Sequence, residues 1–114
     1  MQPDEIVLVM TSASDLLLAK RIAHLVIEEG LAACIHIGAP VLSVYSWKGD
    51  VEGAEEIPLS IKTTWARQEA LVSRIKALHP YDVPEIIVLP VIAGYGPYLD
   101  WVRESTSSTG IAGS

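Results

Sequence analysis

The apolar positions fall into short runs and stripes separated by Gly, Pro and Ser. Ile6–Val7–Leu8–Val9–Met10 is a continuous apolar run rich in β-branched residues, the pattern of a strand buried on both faces. Ser12 and Ser14 follow as N-cap candidates, with Asp15 where a first helical turn favours negative charge. From Asp15 to Glu29, the residues Ala19, Ile22, Ala23 and Val26 recur on one helical face, and Gly30 supplies the residue that closes the helix. Ala32 to Ile37 predicts a second strand, continuing through Gly38–Ala39–Pro40 into Val41–Trp47 with a bulge or bend at the Gly and Pro.

Lys48–Gly49–Asp50 reads as a three-residue hairpin turn, and a return strand runs from Val51 towards Thr63. In it Ile57, Leu59 and Ile61 alternate with Pro58, Ser60 and Lys62, so one face is apolar. Pro58 cannot donate to a ladder and belongs at an edge or bulge. Trp65 to Leu78 predicts a second helix, with Leu71, Ile75 and Leu78 on one face and Pro80 as its stop. Glu85 to Val91 is a further buried strand, Gly94 and Gly96–Pro97 interrupt the chain, and Tyr98 to Glu104 predicts a short terminal helix.

The order is βαββαβ with an added C-terminal helix. Two right-handed crossovers of this kind give an antiparallel sheet with two helices on one face, an α+β ferredoxin-like sandwich with a long hairpin between its second and third strands. There is no repeat or internal linker. Residues 1–104 form one domain, and the small, polar residues 105–114 are expected to be a flexible tail.

Composition adds a constraint. Half of the chain is apolar and only 19% is charged, against a usual charged share of about 25%. That excludes a disordered chain. A membrane-spanning helix needs about 20 apolar residues, and the longest runs here have five. The acidic N-terminus lacks the basic region of a signal peptide. A soluble oligomer that buries part of its surface against partners remains. The net charge of −6, with its basic residues scattered, argues against nucleic acid and anionic membrane. The single cysteine, Cys34, excludes sites built on cysteine pairs and fits a reducing compartment.

The densest chemistry is His79–Pro80–Tyr81–Asp82–Val83–Pro84–Glu85. It is either a small ligand or metal site on a stiffened loop, or a loop whose prolines fix the strand entry while His79 binds helix carbonyls. His24 and His36 have no ligand-spaced partners and read as structural or surface histidines. Cys34 lies in an apolar run and reads as a small core residue, because a reactive thiolate needs a basic neighbourhood that the local sequence does not show. Met10 carries a soft thioether suited to Cu(I) only when partners join it. Glu52, Glu55 and Glu56 form an acidic edge, and Lys62 is placed to pair with Glu56 or Glu85. No nucleophile triad, P-loop, GxGxxG or HExxH motif is present.

Several strings together resemble the CutA divalent-cation-tolerance family. They are Ala19…Ile22–Ala23…Val26 leading to Leu31–Ala32–Ala33–Cys34, Ser43–Val44–Tyr45–Ser46–Trp47–Lys48–Gly49, and Glu56…Lys62–Thr63. They continue with His79–Pro80–Tyr81…Val83–Pro84–Glu85–Ile86–Ile87 and Tyr98–Leu99–Asp100–Trp101. The resemblance covers about Ile6 to Glu104. It implies a ferredoxin-like subunit in a PII-like homotrimer, with hairpin strands joining sheets between subunits, in a cytoplasmic protein of copper and divalent-cation tolerance.

No catalytic activity and no obligatory cofactor come with the resemblance. By it, Trp47, Glu56, Lys62, His79, Tyr81 and Glu85 match positions near the cleft between subunits. Its copper ligands, a thiol and a histidine pair, map to Met10 and to Leu78–His79. Only His79 is retained, so Met10 with His79 would favour Cu(I).

Three functions follow. The first is a non-enzymatic trimer that weakly binds copper or another divalent cation through His79 and Met10, with an unidentified protein partner left open. The second is a PII-like signalling module that holds a small anion or nucleotide through Lys62. The third is a cofactor-free enzyme using His79, Tyr81 and Glu85 as acid–base groups.

Overall fold

The alternation in the sequence carries directly into one sheet. The computed structural model describes residues 1–107. Its elements are β1 (Ile6–Ala13), α1 (Leu16–Glu28), β2 (Cys34–Ile37), β3 (Val41–Trp47), β4 (Asp50–Thr64), α2 (Trp65–Leu78), β5 (Ile86–Pro90) and α3 (Gly96–Thr106). The sheet order is β2–β4–β1–β5, with β3 also paired to β4. All of these pairings are antiparallel. With β2 and β3 as two lengths of one strand, this is the ferredoxin-like α+β arrangement expected.

The core is the face of the sheet under α1 and α2. Val7, Val9 and Ala13 of β1 and Ile57, Leu59 and Ile61 of β4 meet Ala19, Ile22 and Val26 of α1 and Leu71 and Ile75 of α2. Each fully buried Ile or Leu contributes roughly 1.5–3 kcal/mol relative to an exposed one. The second sheet face is less bare than expected. α3 packs against β4 and β1, burying Val102 and Thr106, and Arg67 Nε donates to the Thr106 carbonyl at 2.7 Å. The helix runs through Ser105 and Thr106, two residues past the expected end of the domain, because Thr106 is buried beneath it. The rest of the expected tail, beyond Ser107, lies outside the described residues.

Local chemistry sets the element ends, sometimes differently from expectation. β1 extends past Met10 through Thr11, Ser12 and Ala13, so Ser12 is a strand residue and not a helix cap. Asp15 caps α1, its Oδ1 accepting the Leu18 N–H at 2.8 Å. α1 ends in a Schellman turn: Gly30 has φ +70°, its N–H donates to Ile27 O, and Leu31 N–H donates to Val26 O. The hairpin turn has two residues rather than three. Lys48 and Gly49 both have positive φ, 51° and 85°, and Trp47 pairs directly with Asp50, as a type I′ turn requires.

Pro58 is explained by a bulge. Between the pairs Ile37↔Leu59 and Val41↔Glu56, the β2–β3 side advances four residues while β4 advances three. The extra residue sits opposite Pro58, whose carbonyl accepts the Gly38 N–H at 2.9 Å. Because a strand residue points its N–H and C=O to the same side, the missing donor of Pro58 faces the bulge, where no regular ladder bond is lost. A Cβ at Gly38 would lie 2.8 Å from Pro58 Cγ, so Gly38 is there to admit the ring.

Beyond the bulge, β3 and the first half of β4 leave the body as an arm. The molecule measures 47 × 28 × 23 Å, with a radius of gyration of 14.9 Å, against about 13 Å for a compact chain of this length. Leu42, Val44, Trp47 and Val51 on this arm are exposed.

Gly38→Ala is expected to lower stability by about 1–3 kcal/mol through overpacking against Pro58, measured by urea denaturation. Adding Pro58→Ala should recover most of the loss. A single variant as stable as the wild type would show that the Gly38–Pro58 packing is not tight.

Candidate functional site

The loop from His79 to Glu85 is held by its own polar groups. His79 ends α2, is 7% exposed and donates its backbone N–H to Ile75 O. Its Nε2 lies 2.8 Å from the Ser12 carbonyl, and its Nδ1 lies 3.2 Å from the Tyr81 backbone N. A carbonyl only accepts and an N–H only donates, so Nε2 carries the hydrogen and Nδ1 accepts. The histidine therefore ties the loop to the end of β1, instead of binding carbonyls of its own helix. Its ring also packs on Tyr81, with centroids 4.6 Å apart. Lys76 Nζ clasps the Tyr81 and Asp82 carbonyls at 3.2 and 2.7 Å, and Thr11 Oγ1 donates to the Glu85 carbonyl at 2.6 Å.

The loop forms one wall of a groove, and the arm forms the other. The groove encloses about 800 Å³ and is lined by Ser12, Ser43, Val44, Tyr45, Trp47, Glu52, Glu56, Tyr81, Asp82, Val83 and Glu85. Tyr45 stands directly across the ladder from Glu52, and Trp47 lies two residues further along the same face. Glu56 sits at the base, nine-tenths buried, where the Ser12 hydroxyl donates to Oε2. Among the described residues, no Lys or Arg lines the groove. Burial raises the Tyr81 phenol above its ordinary value of 10.0, and the negative charges of Glu56 and Tyr45 raise it further.

Of the residues expected at a cleft, the structure brings Trp47, Glu56, Tyr81 and Glu85 together here and leaves Lys62 out. Lys62 pairs with neither Glu56 nor Glu85. It lies across the ladder from Cys34, and its Nζ is 3.0 Å from His36 Nδ1. Cys34 is half-buried rather than a core residue, with Sγ 3.7 Å from His36 Nε2, so the basic neighbourhood absent from its local sequence arrives from β4. Desolvation raises the Tyr98 phenol, with Cys34 adding to the shift.

Met10 lies between its ladder partners Ser60 and Ile87 on the sheet. His24 is exposed beside Glu28 at 3.3 Å. Among the described residues, no three His, Cys, Asp or Glu side chains converge as a metal cage. As folded, both ring nitrogens of His79 are engaged, so ligation through it requires one hydrogen bond to break.

Sequence reasoning missed Ser12, Ser43 and Tyr45 as groove residues, whereas Asp82 lay within the loop it singled out. A usable signal was present: Tyr45 and Trp47 at strand period two, and Glu52 and Glu56 at period four, share one face.

The fold and groove define a ferredoxin-like α+β protein with an acidic, aromatic-lined groove beneath a projecting hairpin. The model of the CutA1 divalent ion tolerance protein family matches residues 7–105, and the chain belongs to that family. It is 44% identical over 103 residues to the divalent-cation tolerance protein CutA of Thermus thermophilus, covering 90% of this chain and 98% of that one. It is 44% identical to the human protein CutA over 79% of this chain and 50% of the human one, so it spans about half of that longer relative. The crystal structure of CutA1 from Shewanella sp. SIB1 superposes with a TM-score of 0.90 at 38% identity, covering 95% of this chain and all of that one.

Glu56→Gln is expected to keep the Ser12 hydrogen bond, since the amide carbonyl can accept it, while removing a buried charge. Stability should rise by about 1 kcal/mol, read by thermal or urea unfolding. The Tyr81 midpoint should fall only part of the way to its ordinary value, because burial remains; tyrosinate absorbance measures it. Above pH 10, the folded state holds the Tyr81 and Tyr98 protons after the unfolded chain has released its own. Stability should therefore fall as pH rises towards the folded midpoints, and a flat profile there would contradict the assignment.

Proposed function

We propose that this chain is a trimeric, non-enzymatic, cytoplasmic protein of divalent-cation tolerance that weakly binds copper or another divalent cation in the groove. The observation that carries this reading is the groove's set of carboxylates, Glu52, Glu56, Asp82 and Glu85, with no basic residue lining it among the described residues. Oxygen donors of this kind suit divalent cations held with retained water. His79 and Met10, the ligands implied by the family resemblance, join only if His79 gives up a hydrogen bond. The non-enzymatic reading is supported by the same histidine, since the His79–Tyr81–Glu85 set lacks a free ring nitrogen to act as a base.

The PII-like alternative has less support. Its anion ligand, Lys62, lies outside the groove beside His36, and the groove's charge opposes anions. The trimer is supported by the arm and by the sheet. Leu42 and Val51 are 72% and 80% exposed, and Ile87 and Leu89 of edge strand β5 are also exposed. Open strands and apolar faces of this extent call for cover, and three copies about one axis supply it with closed symmetry.

Light scattering of the purified protein should give three chain masses, and Leu42→Lys with Val51→Lys should shift it towards the monomer. A wild-type monomer would overturn the trimer. In Cu(II) titration, Glu56→Gln should weaken binding several-fold, and by more than His79→Ala, which loosens the loop that carries Asp82 and Glu85 without removing a ligand. The reverse order would move the cation to the histidine.

A further inference from the structure

The carboxylates of the groove are spread along it. Glu52 and Glu56 are four residues apart on one face of β4, about 13 Å along an extended strand. Among the described residues no three acidic, His or Cys side chains close on one point. Glu56 is nine-tenths buried, yet among the described residues the one hydrogen-bond partner of its carboxylate is the neutral Ser12 hydroxyl. None of the ion pairs among the described residues involves it. A buried carboxylate without a cation is costly, so this side chain favours a cationic occupant.

Beside the anions, Tyr45 lies opposite Glu52, Trp47 lies two residues nearer the arm's tip, and Tyr81 lies on the facing wall. Aromatic faces attract ammonium groups and pack against methylene chains. The Trp47 ring already has such a neighbour, Lys48 Nζ at 5.7 Å from its centroid. Separated negative charges that share one groove with aromatic surface match an extended organic polycation. The volume of about 800 Å³ lies in the range of small-molecule sites.

We infer that the groove binds a linear aliphatic polyamine. Its ammonium groups meet Glu52, Glu56 and the Asp82–Glu85 wall, and its methylenes lie on Tyr45 and Trp47. This rests on the proposed reading of the groove as a cation site and adds a second class of occupant, a chain beside the point ion. A lysine-rich peptide offers the same ammonium groups, but hangs each on a separate side chain of a bulky backbone.

The test is calorimetric titration of the whole chain with spermine, diaminobutane, Mg²⁺ and a short oligolysine, in about 0.1 M salt so that diffuse attraction is screened. Spermine should saturate one site per chain, at least about tenfold tighter than diaminobutane or Mg²⁺. Trp47→Ala, which leaves the charge unchanged, should weaken spermine by about fivefold to thirtyfold. Glu52→Gln should weaken it several-fold. Circular dichroism and light scattering show that each variant keeps its fold and assembly.

Absence of spermine binding, binding unmoved by Trp47→Ala, or tighter oligolysine binding would each overturn the inference. If Mg²⁺ or Cu²⁺ binds with dependence on Glu56 while spermine does not, the divalent-cation reading stands and the polyamine falls. If spermine alone shows groove-dependent binding, the divalent ion is lost and the polyamine stands.

Discussion

One strand holds this molecule together. β4 hydrogen-bonds to β1 and β2 along its second half and to β3 along its first. The body and the arm are therefore two ends of one element, and the bulge at Gly38 and Pro58 is the place where one becomes the other. Without the extra residue there, Pro58 would leave a gap in a regular ladder. With it, the carbonyl of Pro58 is satisfied by Gly38, and Glu56 is set at the groove base beside Ser12. Fold and site depend on the same register change.

The elements were legible because their causes are local. Alternation at Ile57, Leu59 and Ile61, the helical stripe at Ala19, Ile22 and Val26, and Gly30 at a helix end are all readable within a few residues. Pro58 even announced the bulge. What stayed hidden was set by pairing across the sheet. Ser12 resembles a helix cap until its ladder shows it opposite Pro58. Lys62 has acidic residues near it in sequence, but its nearest polar partner is His36, twenty-six positions away. The same strand contact gives Cys34 its basic neighbours. Which acidic residues share the groove depended on the arm's curve over the 79–85 loop, and no spacing within either segment encodes that.

The groove runs against the usual economy of a folded chain. Buried acids normally come with a cation or with several donors, and Arg74 and Arg103 do pair with Glu29 and Asp100 elsewhere on this protein. Among the described residues, the Glu56 carboxylate has a single hydroxyl. Departures of this kind tend to mark places where stability has been given up for recognition. His79 plays the opposite part: with both nitrogens satisfied, it is a rivet for the loop that carries Tyr81, Asp82 and Glu85.

The two halves of β4 also differ in what protects them. From Ile57 to Thr63, its core-facing side chains lie under α1 and α2 and its backbone runs between two neighbouring strands. From Val51 to Glu55 its backbone has one neighbour, and most of its side chains face solvent. In a single chain, the amide protons of the first stretch would exchange only on global opening, and those of the second by local fraying. In the proposed trimer, the arm's persistence would follow its cover, and so protein concentration. One continuous strand would then report the chain's own stability at one end and the extent of that association at the other.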